Sequence, residues 1–314
     1  MTETAKDNHF AIQTFGISKK FGDIVAVDGI DLSIEEGELF SLLGPNGAGK
    51  TTTIKMLCCL LRPSSGTATI MDYDIQKDPI AVKQLIDVSP QETAIADHLN
   101  VWENLSLMGG IHGIEKEEVG KRSEELVEMM GLTKRAKDRV KKFSGGMKRR
   151  LSIAMALVSD PQVLFLDEPT IGLDPQSRKS IWEHIASLKG KKTIVHTTHY
   201  LEEADALADR IGIIDEGKIV ALGTSSELKK GVSDMQVMVV KAKNLTGDTI
   251  KGLRKIYPEV KEIEDGIEIK AKEVSFSEVV DYLRPKGVVI ESTSLKEITL
   301  DDVFLKLTGK ELRE

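Results

Sequence analysis

The chain has 314 residues, 40% of them hydrophobic and 30% charged, the balance of a soluble globular protein with room for about two domains. Its net charge of −7 argues against general nucleic-acid binding, which draws its affinity from neutralised phosphates. No apolar run approaches the roughly 18 residues needed to cross a bilayer, and the polar start at residues 1–9 carries no signal-peptide stretch, so a cytoplasmic chain is expected.

Residues 11–34 alternate apolar and polar around turn signals at Phe21-Gly22-Asp23 and Asp28-Gly29, which predicts antiparallel strands. A short apolar strand over 39–43 then runs into Gly44-Pro45-Asn46-Gly47-Ala48-Gly49-Lys50-Thr51-Thr52, and a helix is predicted over 50–61. Each part of that loop has a job. Glycines let backbone N–H groups curl around an anion, and the helix presents its positive end to it. Lys50 is placed to neutralise the β- and γ-phosphates of a nucleotide, and Thr51 to ligate Mg²⁺. Cys58 and Cys59 are adjacent, cannot staple distant segments, and read as small apolar residues on a buried helix.

Pro63-Ser64-Ser65-Gly66 ends that helix, and a strand is predicted over 67–71. From 101 to 157 helical periodicity and charge dominate, as over 117–130, which predicts a helical subdomain (about 97–160) inserted into an α/β core. Between Lys134 and Arg150 lie nine basic residues and one acid, Asp138. Two readings stay open there: a solvated face with a loop near bound phosphates, or a patch for lipid headgroups or an acidic partner.

Phe143-Ser144-Gly145-Gly146-Met147 precedes a helix predicted over 148–158, and Ser with two glycines at a helix start makes a second anion site. The apolar strand 163–166 ends in Asp167 and Glu168, where ligands of α/β sheets bind. Asp167 is a candidate Mg²⁺ ligand, directly or through water, and Glu168 a candidate to polarise attacking water. A helix near 175–188, a strand over 193–198, a helix over 201–208 and strands over 210–214 and 219–222 complete the unit. The fold expected is α/β, with a mostly parallel, covered sheet. After Gly231 the predicted order is strand 236–241, helix 249–256, hairpin strands 260–263 and 266–270, helix 276–283, strand 288–292 and helix 300–307. That order suits a small ferredoxin-like α+β domain.

With these motifs in place, residues 10–228 resemble the ATP-binding cassette family of P-loop NTPases. The resemblance implies a parallel core, an antiparallel β subdomain and a helical subdomain within residues 1–230, followed by a regulatory or dimerisation domain over 231–314. Ser144, Gly145 and Gly146 are similar to the signature motif, which contacts the γ-phosphate bound by the opposite subunit. Phe21 resembles the adenine-stacking aromatic, beside the plainer reading of a hairpin core ring. Gln91 resembles the glutamine that senses Mg²⁺ and links to the helical subdomain. Asp174, in Ile171-Gly172-Leu173-Asp174, resembles the polar end of the loop between subunits, and His199 the switch histidine at the γ-phosphate. His196, on the opposite strand face, reads as structural. Met147 and Phe143 depart from the usual Gln and Leu, and 94–100 lacks the usual apolar-proline pattern, in a region expected to face the membrane partner.

The Gly-Gly-Met signature and the segment 298–309 resemble the daunorubicin-type drug-resistance ATPases. The resemblance implies ATP and Mg²⁺ as cofactors and a head-to-tail homodimer, or a heterodimer with a paralogue. It further implies a separate ABC-2-type transmembrane permease, with this chain peripheral on the cytoplasmic side and powering export of a drug-like or lipid-like substrate. A soluble cassette ATPase of the iron–sulfur assembly type is the alternative, and the C-terminal extension suits it poorly. A switch GTPase would need an Asn-Lys-x-Asp run, and none follows the phosphate loop.

Overall fold

The computed structural model describes residues 9–232, 236–296 and 298–309, which fall into two compact units meeting in sequence at Ser225/Ser226. The first begins with two long strands, β1 (Phe10–Phe21) and β2 (Ile24–Glu35), closed by the turn at Gly22 as the alternation predicts. Strand β3 (Leu39–Leu43) is buried along its whole length and leads through the glycine-rich loop into helix α1 (Lys50–Leu57). That helix stops four residues short of the expected 61. Cys58 forms its C-cap and Cys59 adopts φ +55°, outside helical space, so only Cys58 is buried and Cys59 lies past the helix end.

Strands β4 (Ser65–Ile70) and β5 (Tyr73–Asp74) follow, then helix α2 (Pro79–Leu85) and strand β6 (Ile86–Ser89). The helical subdomain contains α3 (Val101–Ile111), α4 (Lys116–Met129) and α5 (Gly145–Leu157), with 3₁₀ turns at Thr133–Arg135 and Val140–Lys142. Asn100 starts α3 in a reciprocal capping box with Glu103. Then come β7 (Val163–Asp167), α6 (Pro175–Ala186), β8 (Thr193–Thr198), α7 (Leu201–Leu207), β9 (Arg210–Asp215) and β10 (Lys218–Gly223). Helix α8 (Ser225–Val232) runs across the unit boundary.

One six-stranded sheet has the order β10-β9-β3-β8-β7-β6, parallel except for β10 against β9. An antiparallel sheet of order β2-β1-β4-β5 covers part of it. The central strands face two cores at once, which is why they read as unbroken apolar runs. Phe40, Leu42, Phe165 and Val195 pack with residues of the antiparallel sheet and α1. Leu39, Leu164, Leu166 and Ile194 pack with residues of α3 to α7. Parallel strands end on the same edge, so the segments after β3, β7 and β8 are brought side by side.

The second unit contains β11 (Gln236–Lys243), α9 (Gly247–Leu253), β12 (Glu259–Ile263), β13 (Gly266–Ala271), α10 (Phe276–Leu283), β14 (Val289–Lys296) and α11 (Leu300–Thr308). Its sheet has the order β12-β13-β11-β14 with every pair antiparallel, the ferredoxin-like topology. Its core of Met238, Val240, Leu253, Ile267, Ile269 and Leu283 is its own.

Candidate functional site

The site is built on the edge where β3, β7 and β8 end. The Gly44 amide donates to the Thr198 carbonyl at 3.2 Å, pinning the start of the loop to the end of β8. A β-carbon on Gly44 would collide with the Ile214 carbonyl oxygen, so no larger residue fits there. Gly47 and Gly49 take φ of +84° and +106°, conformations that L side chains rarely adopt. The chain turns sharply enough to aim the start of α1 into a cleft of about 300 Å³. Pro45, Asn46, Gly47, Gly49, Lys50, Thr51 and Thr52 line that cleft, together with Gln91 and Glu168. Ala48 is buried beneath it.

The charged groups in the cleft are interlocked. Lys50 Nζ donates to the carbonyls of Gly44 (2.7 Å) and Pro45 (3.1 Å) and pairs with Glu168 Oε1 at 3.0 Å. The other Glu168 oxygen meets His199 Nδ1 at 2.8 Å. Thr51 Oγ1 donates to Asp167 Oδ1 at 3.0 Å, and Thr197 Oγ1 donates to the same oxygen at 2.7 Å while accepting the Glu168 amide at 2.9 Å. Lys50, Asp167 and Glu168 are all buried, where charge interacts more strongly than in water. Glu168 holds φ +49°, a strained conformation for a non-glycine residue and one that clusters at functional sites.

Thr51 and Asp167 present a hydroxyl and a carboxylate to one point, hard oxygen donors suited to Mg²⁺. Among the described residues no group of three or more His, Cys, Asp or Glu forms a cage of its own. A cation held here would take its remaining oxygens from phosphates and water, as Mg²⁺ does.

Three expected site elements lie outside this cleft. Phe21 ends β1, about half exposed, with Lys19 Nζ 5.2 Å from its ring centroid. Ser144 caps α5 by accepting the Met147 amide at 3.3 Å, with Gly145 and Gly146 in the first turn. Asp174 caps α6 through the Ser177 amide at 3.0 Å, and its hydrogen bonds from Ser177 hold its carboxyl below the usual range. These two helix starts sit together: a β-carbon on Gly146 would stand 2.9 Å from Ser177 Oγ, and one on Gly145 3.5 Å from Leu173. His196 is fully buried against Ser41 at 3.4 Å, and burial pushes its pKa down to about 4.

Sequence reasoning missed three groups. Arg149, buried on α5, donates to the carbonyls of Pro90 (2.7 Å), Gln91 (2.8 Å) and Glu168 (3.2 Å), so one side chain holds the Gln91 loop to the end of β7. It was hidden as one of nine basic residues in the stretch from Lys134 to Arg150. Thr197 seats Asp167 and Glu168, and its only signal was its place two residues before His199. Glu203, fully buried, accepts from Thr170 and Trp182, each at 3.0 Å. Burial raises its pKa to about 7. In sequence it was one of two adjacent glutamates on a surface-like helix.

The family model described as ABC transporter matches residues 27–171. The daunorubicin resistance ATP-binding protein DrrA3 of Streptomyces coeruleorubidus is 38% identical, over 96% of this chain and 97% of that protein. The linearmycin resistance ATP-binding protein LnrL of Bacillus subtilis is 39% identical, over 96% and 100%. The Nod factor export ATP-binding protein I of Cupriavidus metallidurans is 38% identical, over 96% and 99%. Among solved structures, an ATP-binding subunit of an ABC transporter superposes with TM-score 0.64 at 27% identity, over 70% of this chain and 92% of that one. A dimeric cassette in a post-hydrolysis state, bound to ADP and Pi, gives 0.61 at 27% identity, over 68% and 98%. The chain belongs to the ABC transporter family, as one of its ATP-binding and ATP-hydrolysing subunits.

Proposed function

We propose that this chain drives export of a drug-like or lipid-like substrate through a separate ABC-2-type permease, hydrolysing Mg²⁺-ATP between two copies arranged head to tail. The observation that carries the site reading is that Lys50, Thr51 and Glu168 line one cleft while Asp167 and His199 bond to Thr51 and Glu168 from behind it. The names of the drug-resistance and Nod factor export relatives support the export reading, and the ADP-bound dimeric cassette supports the paired arrangement. No helix among the described residues is long and apolar enough to cross a membrane, which fits peripheral attachment through a permease on the cytoplasmic side.

In this reading Lys50 exchanges the Gly44 and Pro45 carbonyls and the Glu168 carboxylate for β- and γ-phosphate oxygens. Thr51, Asp167 and Gln91 would hold Mg²⁺, which would neutralise phosphate charge when bound. Glu168, released from Lys50, orients water for attack on the γ-phosphorus and takes its proton as the bond to the β-phosphate oxygen breaks. His199 stands beside Glu168 to contact the γ-phosphate. Phe21 stacks on the adenine. Ser144, Gly145, Gly146 and Asp174 lie outside the cleft of their own chain, as groups that serve the nucleotide of a second copy would.

Glu168→Gln keeps the side chain's shape and removes its charge. ATP binding is expected to persist while steady-state turnover falls by about 10²–10⁴-fold and ATP-bound dimers accumulate on size-exclusion chromatography. Undiminished turnover would sink the role given to Glu168. Ser144→Ala is expected to impair hydrolysis by the dimer and to leave ATP affinity of the monomer unchanged; an equal loss of monomer affinity would reject the contact between copies.

A further inference from the structure

Behind His199 the chain builds a support that phosphate binding alone does not call for. The Tyr200 ring lies 4.1 Å from the His199 ring, centroid to centroid, tilted by 41°. The Arg178 guanidinium carbon lies 4.0 Å from the Tyr200 ring centroid. Arg178 sits in the first turn of α6, where its amide donates to Asp174 O at 2.9 Å. Its Nε is buried and has no hydrogen-bond partner among the described residues, and the guanidinium lies over the Tyr200 ring. One line of contacts therefore runs from the start of α6, through Arg178 and Tyr200, to His199 and Glu168.

A second tie lies one turn further along α7. Glu203 Oε1 accepts from Thr170 Oγ1 and from Trp182 Nε1, each at 3.0 Å. Thr170 follows Glu168 by two residues on the way to Asp174, and Trp182 is one turn beyond Arg178 on α6. A fully buried carboxylate is costly unless its hydrogen bonds are made, and a packed apolar side chain would stabilise the interface as well or better. What the carboxylate adds is direction, because it fixes α7 against two donors on two other segments. Helix α7 has seven residues and no side-chain N-cap, so it depends on such ties for its position.

We propose that Tyr200 and Glu203 are positioning residues for hydrolysis: stacked on Arg178 and tied to Thr170 and Trp182, they hold the His199 ring against Glu168. They act through His199, and the inference rests on the role assigned to His199 above. It adds a route by which the segment around Asp174, on α6, bears on the geometry at Glu168.

The test is a double-mutant cycle on full-length protein, with steady-state ATPase as one readout and equilibrium binding of a fluorescent ATP analogue as the other. Tyr200→Leu is expected to lower kcat about tenfold with nucleotide affinity held within about twofold, and Tyr200→Phe to restore it. Arg178→Gln removes the stack from its other end and should reproduce the Tyr200→Leu loss. Glu203→Gln keeps an acceptor for Thr170 and Trp182 and should hold kcat; Glu203→Leu should not. In a His199→Ala background, Tyr200→Leu should cause no further loss. An independent, multiplying loss in that background overturns the proposal while leaving the His199 role standing. A His199→Ala protein with full turnover overturns the role of His199 itself, and the proposal with it.

Discussion

Glu203 shows what a single buried group does to this molecule. Burial raises its pKa from the usual 4.5 to about 7, with a smaller push from the nearby Glu168 charge, against hydrogen bonds from Thr198, Thr170 and Trp182. The Arg149 guanidinium also lies within electrostatic reach. Between these two values the folded chain holds a proton that the unfolded chain has released. This contribution is therefore present below about pH 4.5 and is lost as pH rises through about 7, a difference of about 3 kcal/mol. Glu203→Gln removes it. Compared by urea unfolding at pH 5 and pH 8, the variant is expected to gain on the parent as pH rises; parallel behaviour at both values would show that Glu203 is not the group responsible. Lys50 and Thr51 stood out in the sequence as candidates because they hold fixed places in the loop from Gly44 to Thr52, and Asp167 because it ends an apolar strand. Glu203 did not, because its partners lie 33 and 21 residues away and only the packing of α6 on α7 unites them.

At the scale of elements, most strands were legible, and so were most helix ends, the larger misses falling at the end of α1, the start of α5 and the end of α9. The central strands announced themselves as short apolar runs between turn signals, since both of their faces are covered. Strand β6 escaped because four residues with Asp87 inside carry no clear pattern, and α2 because seven residues are too few for periodicity. Helix α5 begins at Gly145 rather than 148, because the Ser144 cap, not the apolar pattern, sets its start. Arg149 makes that helix a structural keystone. Arg149→Met leaves the carbonyls of Pro90, Gln91 and Glu168 without its three hydrogen bonds, an expected loss of about 3 kcal/mol or more. Arg149→Lys should recover little, because one ammonium does not reproduce a planar fork. The midpoint of chemical unfolding measures both, and a lysine variant at parental stability would refute the fork argument.

At the scale of the whole molecule, the described residues that line the cleft all belong to the first unit. The topology of the second unit followed from the order of elements in the sequence; its purpose did not, because no motif in it carries chemistry. We assign it to bridging two copies. Truncation after Gly231 is expected to leave ATP affinity unchanged and to weaken self-association in sedimentation velocity; equal association of the shortened chain would reject that assignment. The two thiols at the end of α1 make such assemblies unusually easy to measure. Burial holds the Cys58 thiol far from ionising, and the Cys59 thiol, also raised by burial, lies 3.3 Å from the Ile75 carbonyl. Since the thiolate is the reactive form, both should respond slowly to alkylating probes at neutral pH. The natural chain then serves as a quiet background for spin labelling. A cysteine placed at an exposed position such as Lys142 would take the label first, and the separation between labels in two copies could be followed through a cycle of ATP binding and hydrolysis.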